Sequence, residues 1–298
     1  MVITKVYKQL GDNMKILFCT DGSEISLLSL ENASKFIKEA EVDSVCVIDW
    51  SFLPESMNID NENYSKTYEN IADSVLNYAE KEIKEKNLTP NQKIKSFGSP
   101  VEAILKQIEK EDYNLIVIGS HGKKGLQKWL GSVSRQVVSN TDVPVFISKK
   151  KTRAEKILFT TDGSSHSYSA IKHSVELFDL HEKEIFIISV KENPELLPIE
   201  AALDKNWLDN IEKQQKIHAT KAINKAKALL EKEGIKVANE TIATGNPAQK
   251  IIEHVNREDI DLIVMGARSK SNLSTLLLGS VSKRVLENTH SDVLIIRK

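Results

Sequence analysis

The chain alternates between short, unbroken apolar runs and longer stretches in which apolar positions recur at helical spacing. Ile16 to Cys19, Val45 to Ile48, Ile94 to Phe97, Leu115 to Ile118 and Val145 to Ser148 read as strands. Between them, Ser23 to Glu39, Tyr64 to Lys86, Pro100 to about Glu111 and a segment from Ser132 read as helices. Ile71, Val75, Leu76, Ala79 and Ile83 share one stripe of the second helix. Pro100 suits a first helical turn. The same order then returns, with strands at Ile157, Ile185, Val237, Leu262 and Val293 and a helix from Leu203 to Glu233 stopped by Gly234. In that helix Ile211, Gln215, His218, Ala222, Lys225 and Leu229 make no single stripe, which leaves room for a break before Ile217. Apolar strands that do not alternate, interleaved with helices, predict a parallel sheet covered on both faces.

The return is a duplication. Lys15 to Ser23 reads KILFCTDGS and Lys156 to Ser164 reads KILFTTDGS, with one difference. Gly98-Ser99-Pro100 recurs as Gly245-Asn246-Pro247, and Asn140-Thr141 as Asn288-Thr289. The expected organisation is an arm over residues 1–13, one domain over 14–150 and a second over 154–298, with a charged joint from Lys149 to Arg153. That joint is too short for independent tumbling, so the two domains should touch.

A net charge of -1 argues against nucleic acid and anionic membranes as general partners. No apolar run is long enough to span a bilayer. Cys19 and Cys46 are the two cysteines, each inside an apolar run, which suits core packing in a reducing cytoplasm.

Chemistry concentrates where strands end. Leu115 to Ile118 runs into Gly119-Ser120-His121-Gly122, and Gly131-Ser132-Val133-Ser134 then opens a helix. In the second copy, Leu262 to Met265 runs into Gly266-Ala267-Arg268-Ser269, and Gly279-Ser280-Val281-Ser282 opens the helix. Free N–H groups and a positive dipole end at such a start favour an anion. Thr20-Asp21-Gly22-Ser23 and its copy Thr161-Asp162-Gly163-Ser164 follow the first strand of each unit. In an open parallel sheet, ligands bind outside the carboxyl ends of strands, where strand order reverses. Taken singly, Gly131-Ser132 also reads as a turn with an ordinary cap, Asp21 as a helix cap and Gly119 as a strand exit. Their joint recurrence in one order favours a site. There is no P-loop and no G-x-G-x-x-G fingerprint. Asp162, Ser164 and His166 are too crowded for triad geometry. Lys123 and Lys124 read as solvent-facing, and Trp50, Trp129 and Trp207 as packing or interface residues.

An apolar strand followed by G-x-x-G, a short spacer and G-S, paired with an acidic turn after the first strand, resembles the universal stress protein family over nearly the whole chain. The resemblance implies two tandem doubly wound α/β domains, each with a five-stranded parallel sheet in order 3-2-1-4-5. It implies a cytoplasmic, non-enzymatic stress-response protein binding ATP or AMP, with or without magnesium, and dimers that pair through the last strand. By position, Thr20 and Asp21 would meet adenine and ribose, and Val47 would line the adenine pocket. Gly119 and Gly122 would pass along ribose and phosphate, while Gly131, Ser132, Val133 and Ser134 would hold the phosphates. The second set is Thr161, Asp162, Ile187, Gly266, Gly279, Ser280, Val281 and Ser282. Two departures stand out. Gly122 and Gly131 bracket one residue fewer than the family pattern, and Ser269 replaces a glycine. The complete glycines favour the first site. Slow ATP hydrolysis, or a scaffold for a protein or lipid with the nucleotide site unused, are the alternative functions. Within one chain, Val145 to Ser148 and Val293 to Ile296 are expected to pair, since each would otherwise be an exposed apolar edge. A two-chain assembly through the long second-unit helix is left open.

Overall fold

The computed structural model describes residues 14–49, 62–121, 130–192, 205–267 and 278–297, with only the backbone for 62–65 and 205–208. The expected arm over residues 1–13 lies outside them. The chain divides into two compact units that meet in sequence at Arg153 and Ala154.

The first unit runs β1 (Lys15–Cys19), α1 (Glu24–Ser34), β2 (Glu41–Ile48), α2 (Glu62–Glu85), β3 (Thr89–Phe97), α3 (Pro100–Lys110), β4 (Leu115–Gly119), α4 (Ser132–Asn140) and β5 (Val145–Ser148). Its strands are parallel, in the order β3-β2-β1-β4-β5. The second runs β6 (Lys156–Thr160), α5 (Ser165–Leu177), β7 (Glu184–Lys191), α6 (Lys205–Lys232), β8 (Val237–Thr244), α7 (Pro247–Glu258), β9 (Leu262–Gly266), α8 (Ser280–Asn288) and β10 (Asp292–Ile296). Its parallel order is β8-β7-β6-β9-β10. Each sheet therefore has the order 3-2-1-4-5 that the family resemblance implies, and strand order reverses between the first and fourth strands.

Central strands explain why the apolar runs are unbroken. Ile16, Leu17 and Phe18 of β1 and Leu115, Ile116 and Val117 of β4 are wholly buried, because helices cover both faces. Each such side chain contributes about 1.5–3 kcal/mol of burial. The outer strands β3 and β8 alternate between exposed and half-buried positions. Their polar character keeps those edges from recruiting other strands.

Several expectations change. Helix α1 ends at Ser34 instead of Glu39, with Lys35 as its C-cap. Phe36 and Ile37 are buried beyond its end, so apolar spacing continues where the helix does not. Strand β2 begins at Glu41, four residues early, and contains the wholly buried Asp43. That carboxylate accepts hydrogen bonds from Asn91 Nδ2 (2.8 Å), Gln92 N (3.0 Å) and Tyr113 Oη (2.8 Å), and Lys15 Nζ stands 3.4 Å away. Lys15 also reaches Glu111 at 2.8 Å. Helix α6 is continuous, with no break before Ile217. Its buried stripe is Ala219, Ala222, Ile223, Ala226 and Leu230. In α2, Ala72 takes the buried place expected for Ile71, which is exposed.

Candidate functional site

Strands β1 and β4 are neighbours, with Cys19 opposite Ile118. The Thr20–Ser23 turn and the Gly119–Ser120 exit therefore leave adjacent strand ends, about 4.8 Å apart. The turn holds itself together. Thr20 Oγ1 accepts from Gly22 N (3.1 Å) and shares a proton with Ser26 Oγ (2.9 Å). Asp21 Oδ1 accepts from Ser23 N (3.0 Å). Ser23, not Asp21, is the N-cap of α1, accepting from Ser26 N. Gly22 sits at φ 73, a left-handed conformation that favours glycine. The second unit repeats this. Thr161 Oγ1 accepts from Gly163 N (3.2 Å) and meets Ser167 Oγ (3.0 Å), and Asp162 Oδ1 accepts from Ser164 N (2.9 Å).

Gly131 is the N-cap of α4, and no side chain caps it. Gly279 begins α8 the same way. By contrast Ser23, Ser99 and Asn246 cap α1, α3 and α7 with their own side chains. The amides at the start of α4 and α8 thus lack the partner that other helix starts carry. Gly131 N donates to Ser120 O, and Gly279 N to Ala267 O, each at 2.6 Å. A Cβ on Gly131 would lie 3.2 Å from Ser120 O and 3.3 Å from His121 Cα, so glycine lets this start fold back on the strand exit. Ser132 and Ser280 are exposed, Val133 and Val281 half-buried.

Four predicted site residues also do structural work. Ser134 is buried, and its hydroxyl donates to Gly119 O at 2.8 Å; Ser282 does the same to Gly266 O at 2.8 Å. Their protons brace the helix start against the strand. A Cβ on Gly119 would lie 3.1 Å from Ile25 C, Ile25 O and Ser26 N, and one on Gly266 would lie 3.1 Å from His166 C and O. Those glycines let α1 and α5 lie against β4 and β9, a packing demand independent of any ligand. Gly122, Lys123, Lys124, Trp129 and Ser269 lie outside the described residues, as do Trp50 and the side chain of Trp207.

Val47 is half-buried near the end of β2. Ile187 is wholly buried and does not match it. Thr20 N donates to Val45 O and Thr161 N to Ile188 O, so Val45 corresponds to Ile188, and Val47 to Val190. The β7 run is apolar throughout, which hides its register from sequence reading. Val190 lines a cleft of about 370 Å³ with Asp162, Ser189, Lys191, Glu192, Gln215, His218 and Ala219. None of Ser189, Val190, Lys191, Glu192, Gln215, His218 or Ala219 was anticipated as a site residue. Their signal is the spacing of α6 against β7, which only the fold supplies. Beside the cleft, burial and then the Asp162 carboxylate push the Tyr168 hydroxyl pKa up, and Lys225 Nζ stands 4.3 Å from that ring's centre.

Fold and site together define a tandem pair of doubly wound α/β units, each with an acidic turn beside an uncapped helix start at the switch point. The universal stress protein family model matches residues 13–149 and again 154–297, and the chain belongs to that family. A universal stress protein of Methanocaldococcus jannaschii is 34% identical over 144 residues, which is 48% of this chain and 82% of that protein. One of Synechocystis is 22% identical over 292 residues, covering 97% of this chain and 91% of its own. The crystal structure of a universal stress protein from Archaeoglobus fulgidus superposes with a TM-score of 0.68 at 24% identity, covering 95% of this chain and 98% of that one, and so shares the fold. No described helix is long and apolar enough to cross a membrane.

Proposed function

We infer that each unit binds an adenine nucleotide, ATP or AMP, with its phosphates on the start of α4 or α8 and its ribose beside Asp21 or Asp162. The observation that carries this reading is the absence of a side-chain cap at Gly131 and Gly279, where three other helix starts are capped. A phosphate would supply the missing partner and meet the positive dipole end. The family resemblance supports adenosine as the remainder of the ligand. Val47 and Val190 stand at matching places beside the acidic turns, suited to the face of a base. The described residues hold no group of three His, Cys, Asp or Glu side chains placed for a metal, so a magnesium ion would arrive with the phosphates.

The role is regulatory: bound nucleotide shifts the population of conformations or partners by its differential affinity for them. The buried thiols of Cys19 and Cys46, neither in a disulfide, support a cytoplasmic setting. Native mass spectrometry of freshly purified protein, with thermal unfolding in millimolar Mg-ATP, tests the reading. It predicts co-purified adenine nucleotide or a raised melting temperature. Neither appearing would overturn it.

A further inference from the structure

The two units are duplicates in backbone but not in the wall that faces the acidic turn. Leu88 N donates to Ile83 O at the end of α2, and Ile235 N to Leu230 O at the end of α6. This pairs Ile83 with Leu230 and, turn by turn, Ala72 with Ala219, Ile71 with His218 and Tyr68 with Gln215. The buried stripes agree, since Ala72, Leu76, Ala79 and Ile83 face Ala219, Ile223, Ala226 and Leu230 in the alignment, all buried. On the strand side, the match of Val45 with Ile188 places Cys46 opposite Ser189 and Ile48 opposite Lys191.

The wall of the second cleft therefore contains Ser189, Lys191, Gln215 and His218. The same four places in the first unit hold Cys46, Ile48, Tyr68 and Ile71. There, Ile48 packs against the Cys46, Ala72 and Leu76 cluster. Duplication kept the acidic turn and the open helix start in both copies while this wall came to differ, with two isoleucines in the first unit replaced by lysine and histidine in the second.

We propose that the second unit reads the edge of the purine base through Gln215 and His218, whereas the first, with isoleucine at two of the four matching places, has no such paired reader. This rests on the nucleotide reading above. A carboxamide offers one donor and one acceptor in the spacing that complements the amino group and ring nitrogen of adenine. An imidazole adds a further donor or acceptor. His218 stands directly over the turn, because its Cε1 lies 2.9 Å from where a Cβ on Gly163 would be. Gly163, at φ 78, thus serves both the turn and the approach of His218. The carboxylates of Asp162 and Glu192 outnumber the single Lys191 ammonium in the same cleft, and the resulting negative balance disfavours phosphate there. They direct the base to the α6 wall and the phosphates to α8. In the first unit Ile48 and Ile71 offer the base no hydrogen bond, and Tyr68 carries a single hydroxyl where Gln215 carries a carboxamide, so the paired reading of adenine is lost and any purine is tolerated.

The test is an amide-resolved NMR titration of the full chain with ATP and with inosine triphosphate, which replaces the adenine amino group by a carbonyl. Amides of Ser132 to Ser134 report the first unit, and those of Ser280 to Ser282 the second. In the wild type the second set should give a Kd for ATP about tenfold to a hundredfold below that for inosine triphosphate. In Q215A/H218A that preference should vanish, while the first set shows none in either protein. Alanine is the best helix former, so α6 should stay intact, and the unchanged amide spectrum of the free variant will show it. Retained preference in the variant, or none at the second unit of the wild type, would overturn the proposal while leaving nucleotide binding in place. Silence of both sets at millimolar nucleotide would overturn the nucleotide reading and this inference with it.

Discussion

Placing an acid at the exposed first turn of α4 and α8 should move stability and binding in opposite directions. Ser132 and Ser280 are the first helical residues after the uncapped Gly131 and Gly279. Both are exposed, so aspartate fits without repacking. In the free protein, S132D or S280D puts a negative charge at the positive end of the dipole, worth about 0.3–1 kcal/mol. For a unit of this size that raises Tm by ~1–3 °C. With nucleotide bound, the same carboxylate would stand on the order of 5 Å from a phosphate. At an effective dielectric constant near 20, repulsion costs about 3 kcal/mol per unit of phosphate charge. The Kd then rises on the order of a hundredfold. High salt should narrow the gap, since the screening length shrinks to about 3 Å at 1 M. Calorimetric unfolding of the free variants and titration calorimetry with ATP measure the two halves. An unchanged Kd would refute phosphate placement at these starts, and a lowered Tm would refute the claim that they are open.

Further outcomes follow from the packing. Gly119→Ala should cost about 1–3 kcal/mol in urea unfolding, because its Cβ meets the α1 backbone at 3.1 Å; an undamaged protein would leave Gly119 without its packing role. Asp43→Ala should cost about 2–3 kcal/mol by the same assay, through the Tyr113 hydroxyl proton left without its acceptor and the lost charged hydrogen bonds; no loss would mean that Asp43 is exposed in solution. Stability should fall as pH rises past about 10. The hydrogen bond to Glu111, opposed by burial and helped by Asp43, holds the Lys15 pKa above its ordinary value. Burial pushes the Tyr113 pKa up as well. Both groups keep protons in the folded state that the unfolded chain releases, so K15M/Y113F should flatten the alkaline limb of a pH-resolved unfolding series.

The strands, the duplication and the acidic turns were legible because each leaves a local mark: unbroken apolar runs, KILFCTDGS repeated as KILFTTDGS, and an Asp-Gly-Ser turn after the first strand; the strand order leaves none and came from the family resemblance. The start of β2 was hidden. Asp43 and Ser44 interrupt its apolar run, and the groups that satisfy Asp43 come from Asn91, Gln92 and Tyr113, far along the chain. The polar half of β3 was hidden for a related reason, since an outer strand needs no apolar pattern. In α6 the apolar residues Ile211 and Leu229 drew attention from the alanines that face the sheet. Small side chains mark close packing less visibly than large ones. The packing roles of Gly119 and Ser134 were hidden, because a sequence does not tell a glycine that admits a helix from one that admits a phosphate, nor a serine that braces a strand from one that faces a ligand. Gln215 and His218 were beyond reach, since only the register of α6 against β7 brings them to one cleft.

A crystal structure with bound adenine nucleotide tests the central claim most directly. It should show phosphate oxygens about 2.7–3.2 Å from the amides of Ser132 and Val133, and of Ser280 and Val281. Nucleotide bound elsewhere, with those amides turned to solvent, would contradict it.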